Sequence, residues 1–384
     1  MMLRTLLAPA LATLAATTAA AQSVFVVDAD GGPGVDFTAL QPALDASSPG
    51  DRIEVFAGTY GPATLGRGVT VMGAEPGVVF QAVAVEDLPP AEIVVLADLS
   101  HEKARIEQCM GTVVLDRVGL NDFLDVTACA DVRMSEVGLA GGPARITLVD
   151  SFVQITQSAI TAPLASVSPA VRAIGSELVV SDTSLRGASE LLSDIVGIGM
   201  CLTYDGSPGL VLTDGSTATV LRSVLRGGSG SLDCFSGGPG GLPGRSATVD
   251  SSSTLRRAET VLPNGLALAP GALDLVEVAL PTLSLTGGRA PGETAVFETR
   301  AGAGTSARLW AGRFPRRDAF GPWIPFLHSR ERGVSLGAMP APELIEIFFP
   351  LPPLPRGTLI HGQAMRTRAD GTTDLSNSVT LVVR

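Results

Sequence analysis

Three arginines occupy matching places in the sequence and are the strongest candidates for ligand binding. Arg186, Arg226 and Arg256 each follow a leucine that closes a short apolar segment. If successive segments stack, the three guanidinium groups form a ladder that could bind the carboxylate or sulfate groups of an anionic glycan. The alternative is a solvated polar corner. The sequence favours this alternative, because Asn121 and Ala140 stand at the same place in two earlier segments.

Oxygen ligands for a metal ion are concentrated near the start of the chain. Asp28, Asp30 and Asp36 lie in and beside a glycine-rich turn, and their carboxylates could bind calcium. Aspartates in such positions more often stabilise turns and cap helices. The sequence therefore predicts no metal site and no cofactor, with calcium as the open alternative.

Four cysteines, Cys109, Cys129, Cys201 and Cys234, are candidates for disulfide formation. The first two are 20 residues apart, so a repeat of about 20 residues would stack them on strands about 4.8 Å apart, within disulfide range. The other two bracket a loop rich in Gly, Ser and Asp. An even number of cysteines in an exported chain favours two bridges over buried free thiols. No Cys-x-x-Cys pair occurs, which argues against a zinc site.

Residues 1–21 have the pattern of a secretory signal peptide. Arg4 supplies the positive charge, an apolar run follows, and Ala19-Ala20-Ala21 precedes a cleavage site near Gln22. No later stretch contains 18 uninterrupted apolar residues, so we expect no transmembrane span in the mature chain. The sequence predicts an exported protein, secreted or on the cell surface, with the periplasm as a further location.

Composition favours a turn-rich β protein. The 384 residues include 44 Gly and 27 Pro; 45% of the residues are hydrophobic, but only 4% are aromatic. Such apolar content excludes a disordered chain, and the net charge of −11 argues against nucleic-acid binding. Frequent Gly and Pro disfavour a helical bundle.

A loose repeat indicates a solenoid. Each copy has an alternating apolar strand, a polar corner and a closing leucine; the copies are residues 113–120, 132–139, 178–185, 218–225 and, more weakly, 247–255. Units that cannot bury their own apolar side chains must stack on their neighbours. Short strands make this a β-solenoid, and a sandwich of irregular hairpins is the alternative.

The N-terminal segment resembles a known family. Val27–Gly34, Asp36–Leu40, Pro49–Ile53 and Gly58–Tyr60 look like the start of right-handed parallel β-helices of the pectin-lyase-like superfamily, in which a strand and a short helix cap the coil stack. Here Asp36 would be the helix N-cap, and Phe37, Leu40 and Leu44 would cover the core. The chain is similar to secreted planctomycete-type proteins over roughly residues 24–260.

The resemblance implies little about activity. A lyase of this superfamily would use an Arg or Lys base, usually with calcium-binding acidic residues. A hydrolase would carry Asn-x-Asp, Asp-Asp and Gly-His-Gly motifs. None of these hydrolase motifs occurs in this sequence. Lys103 is the only lysine, and no histidine lies between His101 and His328. We therefore predict no catalytic residues and a non-catalytic, structural or glycan-binding protein whose partner is an extracellular or envelope polysaccharide. A polysaccharide lyase or hydrolase and a protein-binding adhesion module are the alternatives.

The C-terminal part differs in pattern and charge. Residues 22–280 contain 14 basic and 30 acidic residues, whereas residues 281–384 contain 12 and 8. Longer strands are predicted in the second part, and residues 375–381 look like the closing strand of small β-sandwich modules. The predicted organisation is a signal peptide (1–21), a β-helix (22–280) and a β-sandwich (281–384).

Overall fold

The computed structural model describes residues 22–138, 144–163, 168–189, 205–230, 241–276, 282–301, 305–312, 317–318, 326–327, 333–339, 343–351, 353–367 and 373–384. The predicted signal peptide lies outside these residues. The chain divides into two compact units, one of Ser23–Glu277 and one that includes Val278–Arg384.

Parallel pairing between successive coils builds the first unit as a β-solenoid of about nine turns. Eleven strands form one long parallel sheet, which we call sheet 1. With all strands numbered in chain order, it contains β1 (Val24–Val27), β2 (Arg52–Val55), β5 (Thr70–Gly73), β7 (Ile93–Ala97), β9 (Thr112–Asp116), β11 (Asp131–Ser135), β13 (Phe152–Thr156), β16 (Glu177–Ser181), β19 (Thr217–Leu221), β22 (Thr254–Ala258) and β24 (Leu273–Val276).

Two further parallel sheets complete the coils. Sheet 2 contains β3 (Gly58–Tyr60), β4 (Ala63–Leu65), β6 (Val78–Glu86), β8 (Ser100–Glu107), β10 (Gly119–Thr127), β12 (Arg145–Val149), β15 (Val171–Ile174), β18 (Leu210–Thr213), β21 (Ala247–Val249) and β23 (Leu266–Leu268). Sheet 3 is short and contains β14 (Ala159–Thr161), β17 (Ser184–Arg186) and β20 (Val224–Arg226). The predicted solenoid is therefore confirmed.

Alternation along the strands fills a narrow core. On β11, Val132 and Met134 belong to the apolar cluster inside the coils, and Val132 is in register with Val113 and Val153 of the neighbouring strands. Because each inward residue stacks on a similar residue above and below, small branched and aliphatic side chains suffice to exclude water. This explains the high apolar and low aromatic content.

The corners after sheet 1 use the left-handed backbone conformation without glycine. Seven consecutive coils have a positive φ at this place: Asp98, Arg117, Glu136, Gln157, Asp182, Arg222 and Glu259. This conformation costs about 1–2 kcal/mol for an L-residue. In the first six of these residues it directs the N–H toward the next coil; Arg117, for example, donates to the Ser135 carbonyl at 2.9 Å. The hydrogen bond offsets part of the strain.

The predicted helix is present at the N-terminal end of the stack, but its N-cap residue differs from the predicted one. Helix α1 spans Leu40–Ala46, and its N-cap is Ala39, which makes no side-chain cap hydrogen bond. The prediction that Asp36 caps the helix is wrong, because its Oδ2 accepts the N–H of Val26 at 2.8 Å instead. Leu40 and Leu44 are buried against the core as expected.

The second unit contains antiparallel sheets. One sheet has the strand order β25 (Thr282–Gly287), β26 (Thr294–Ala301), β31 (Glu343–Pro350). A second sheet has the strand order β30 (Gly333–Met339), β27 (Thr305–Gly312), β32 (Leu359–Thr367), β33 (Thr373–Val382). A two-stranded sheet is formed by β28 (Arg317–Asp318) and β29 (Phe326–Leu327). Leu283, Phe297, Ile360 and Leu381 lie in its core. The proline-rich segment begins at Pro350, the last residue of the edge strand β31, and proline without an N–H is tolerated at such a position.

Candidate functional site

Sheet 3 brings two of the three predicted arginines side by side. β17 pairs with β20 so that Arg186 is opposite Arg226, and Thr161 of β14 is opposite Arg186 on the other side. All three residues are exposed. Paired residues of neighbouring strands point to the same side of a sheet, so the two guanidinium groups lie at one surface. We call Arg186 and Arg226 the arginine pair.

The third predicted member lies elsewhere. Arg256 is on β22 of sheet 1, opposite Thr219. Val261 forms a parallel bridge with Val224. In this register, the residue of the next coil that stacks on Arg226 is Pro263. The ladder predicted from the sequence therefore has two members.

The arginine pair is not neutralised within the part of the chain that the structure describes. The ion pairs found there involve other arginines, and neither Arg186 nor Arg226 is among them. Like charges on adjacent strands, about 4.8 Å apart, repel each other. An anion bound between the two guanidinium groups would remove this repulsion, and each guanidinium can donate two parallel hydrogen bonds to a carboxylate or sulfate.

A tightly packed backbone layer adjoins the pair, because Gly187 and Gly227 directly follow the two arginines. Gly187 donates its N–H to the Arg226 carbonyl at 2.9 Å, and Gly228 donates to the Ser207 carbonyl at 2.8 Å. A Cβ on Gly228 would lie 1.7 Å from the carbonyl oxygen of Ala188, so only glycine fits. We call residues 187–189, 205–209, 227–230 and 241–244 the glycine layer; it fixes the backbone beside the arginine pair.

A buried ion pair on the outer face of sheet 1 was not predicted from the sequence. Asp131 and Arg133 are two residues apart on β11. Side chains alternate between the two faces of a strand, so both lie on the same face. The Arg133 Nε lies 3.0 Å from Asp131 Oδ1 and its Nη2 lies 2.6 Å from Oδ2. Thr112 donates its hydroxyl to Asp131 at 3.1 Å. Arg133 is only 3% exposed, so its guanidinium is enclosed by the protein and occupied by the carboxylate of Asp131.

The aspartates considered for calcium are used in turns. Asp28 Oδ1 accepts the N–H of Asp30 at 3.0 Å, and Asp36 holds the N–H of Val26. Within the described ranges, no group of three His, Cys, Asp or Glu side chains is arranged to hold a metal ion.

Cys109 and Cys129 stack in successive coils, but they are free buried thiols rather than the predicted disulfide. The N–H of Ala130 donates to the Cys109 carbonyl at 2.8 Å, which sets the register. Their sulfurs are directed toward main-chain oxygens: Cys109 Sγ to Glu107 at 3.3 Å and Cys129 Sγ to Thr127 at 3.2 Å. The hydrogen bond with Cys109 and burial both raise the pKa of the Cys129 thiol. Cys201 and Cys234 lie outside the described residues.

No protein-family model matches this chain, and no curated protein matches it. Among the described residues, no helix has the length and apolar character needed to cross a membrane.

Proposed function

We propose that this protein is a non-catalytic, exported β-helix protein of the pectin-lyase-like type that binds an acidic polysaccharide through Arg186 and Arg226. The observation that carries the proposal is the exposed pair of arginines, in register on β17 and β20, with no carboxylate partner in the described residues. The signal-like residues 1–21 support export to the compartment where such polysaccharides occur.

The chemistry of the pair fits carboxylate or sulfate groups. Two guanidinium groups at one strand spacing can clamp one such group or contact two successive groups of a glycan chain. Thr161, exposed and in register beside Arg186, offers a hydroxyl to the sugar. Because the site is exposed, we expect salt to weaken binding.

The surrounding charge limits the form of the ligand. Residues 22–280 carry 30 acidic residues against 14 basic ones, so a long polyanion would be repelled away from the pair. We therefore expect a short acidic oligosaccharide, or an isolated acidic group on a largely neutral chain, to bind better.

Calorimetric titration of the full chain with an oligogalacturonate tests the proposal. We expect binding that Arg186→Gln and Arg226→Gln each weaken at least about 10-fold, while a neutral glucan oligomer does not bind. Arg172→Gln is the matched control, because Arg172 is exposed on β15 of sheet 2 and has no ion pair among the described residues. Equal binding by all four proteins would overturn the proposal.

The same samples distinguish the enzyme alternative. A polysaccharide lyase would release unsaturated sugars that absorb in the ultraviolet. We expect no increase in this absorbance; turnover that is lost in Arg186→Ala or Arg226→Ala would instead establish a catalytic role for the pair.

A further inference from the structure

His101 on β8 is an imidazole enclosed in the apolar core of the solenoid. The residue is 0% exposed, and the strand register places it between Phe80 of β6 and Leu120 of β10. Neither Nδ1 nor Nε2 has a hydrogen-bond partner on any other described residue. A polar ring therefore occupies a position where the adjacent coils carry large apolar side chains.

In the part of the chain that the structure describes, no acidic group acts on this ring so as to favour its protonated form. On β8 itself, Glu102 and Lys103 are exposed on the outside of the coil, and Arg105 and Glu107 pair with each other at the surface. The titratable residues of the two paired strands are Glu86 on β6 and Asp122 and Asp125 on β10; all three are partly exposed. None of these groups shifts the pKa of His101. Burial lowers this pKa from 6.5 to about 4, against a smaller opposite effect of a hydrogen bond with the residue's own backbone.

We propose that His101 is an acid-sensitive switch, in which proton uptake opens the coils formed by β6, β8 and β10. In the closed state the imidazole stays neutral, because a lone imidazolium in an apolar core is strongly disfavoured. In the open state the ring meets water and takes up a proton at its ordinary pKa. The inference is independent of glycan binding, because the arginine pair lies on β17 and β20.

The direction and range of the effect follow from linkage. Above pH 6.5 both states are neutral at His101 and the coils have their full stability. As the pH falls from 6.5 toward 4, only the open state gains a proton, so stability is lost across this range. Between pH 7.5 and pH 5 the opening equilibrium constant should rise about 30-fold.

Hydrogen–deuterium exchange of the full chain, read by mass spectrometry at pH 7.5 and pH 5 and corrected for the intrinsic exchange rate, tests the switch. We expect peptides from Val78–Glu86, Ser100–Glu107 and Gly119–Thr127 to exchange about 30-fold more, relative to their intrinsic rates, at pH 5. His101→Leu should abolish this pH response. His361→Gln, which changes a buried histidine of the second unit, should leave it intact.

A second measurement keeps the test valid if His101→Leu does not fold. The slow exchange of the imidazole C2 hydrogen in the wild-type chain reports the pKa of His101 directly. A pKa near 4 supports the switch. A pKa of 6.5 or above, or a pH response that persists in a folded His101→Leu variant, would overturn it.

Discussion

Ser176 Oγ accepts a hydrogen bond from the N–H of Ser151, one coil earlier, at 3.1 Å, and donates to the Ile174 carbonyl at 2.8 Å. The relationship repeats along the solenoid, because Ser176 donates its own N–H to Ser216 Oγ at 3.2 Å. A second row of hydroxyls has the same pattern, in which Ser158 donates its N–H to Thr183 and Thr183 donates to Ser223. Buried corner N–H groups that no strand could satisfy are thus paired within the protein.

Ser176→Ala should destabilise the chain by about 1–3 kcal/mol, because it leaves the buried N–H of Ser151 without its acceptor. Equilibrium unfolding in urea measures the change. The matched control is Ser184→Ala, since Ser184 is exposed on β17; its effect should stay within about 0.5 kcal/mol. Equal effects of the two substitutions would show that the hydroxyl row contributes nothing.

Ala128→Gly should stabilise the chain by up to about 1 kcal/mol. Ala128 is exposed at a corner with φ of 53°, a conformation that glycine adopts without strain. Ala173→Gly, in the interior of β15, is the control and should destabilise by about 1 kcal/mol. A shift in the same direction for both variants, seen in their urea midpoints, would contradict the strain assigned to the corner.

Gly228→Ala should cost about 3 kcal/mol, because the new methyl group would meet the Ala188 carbonyl and force the glycine layer apart. Gly61→Ala is the control, since a Cβ there meets nothing within 4 Å. Urea unfolding gives the free energy, and hydrogen exchange should locate the loss of protection in residues 205–209 and 241–244. An unchanged stability of Gly228→Ala would refute the close packing of these segments.

Arg133→Met should destabilise by about 3–5 kcal/mol, because it leaves the Asp131 carboxylate buried without its partner. Adding Asp131→Leu should recover most of the loss. Arg105→Met is the control: Arg105 pairs with Glu107 at the surface, where the side chains are 56% and 37% exposed, and the cost should be below about 1 kcal/mol. A double variant as unstable as Arg133→Met would argue against the ion pair as the cause.

Alkylation of the urea-unfolded, unreduced chain should modify both Cys109 and Cys129, because the structure holds them as free thiols. Peptide mass mapping would show one added group on each. A peptide pair that remains linked until reductant is added would show that the two residues form a disulfide in the purified protein.

The coil repeat was predictable because its physical cause is local. In residues 132–139, apolar residues alternate with polar ones, and a strand buried on one side needs this pattern. The position of Arg256 was not predictable in the same way. Leu255 resembles the closing leucines Leu185 and Leu225, but it lies in sheet 1 opposite Ala218. The segment before it belongs to β21 of sheet 2, so the apparent repeat crosses from one sheet to the next.

The buried polar groups could not be predicted from alternation alone. Arg133 occupies an outward position on β11, where a charged residue is expected to be solvated, yet the structure buries it with Asp131. His101 occupies an inward position, where an apolar residue is expected. Nothing in the neighbouring sequence indicates that this histidine points into the core. Burial of the outer face of a sheet depends on contacts between distant segments, which short-range patterns do not encode.

The coupling free energy between Arg186 and Arg226 tests the proposed binding site most directly. It is obtained from urea unfolding of the wild type, Arg186→Gln, Arg226→Gln and the double variant, each with and without saturating oligogalacturonate. We predict that the two arginines destabilise each other by about 0.5 kcal/mol without the ligand and become favourably coupled by at least about 1 kcal/mol with it. A coupling near zero that the ligand leaves unchanged would contradict the arginine pair as a binding site.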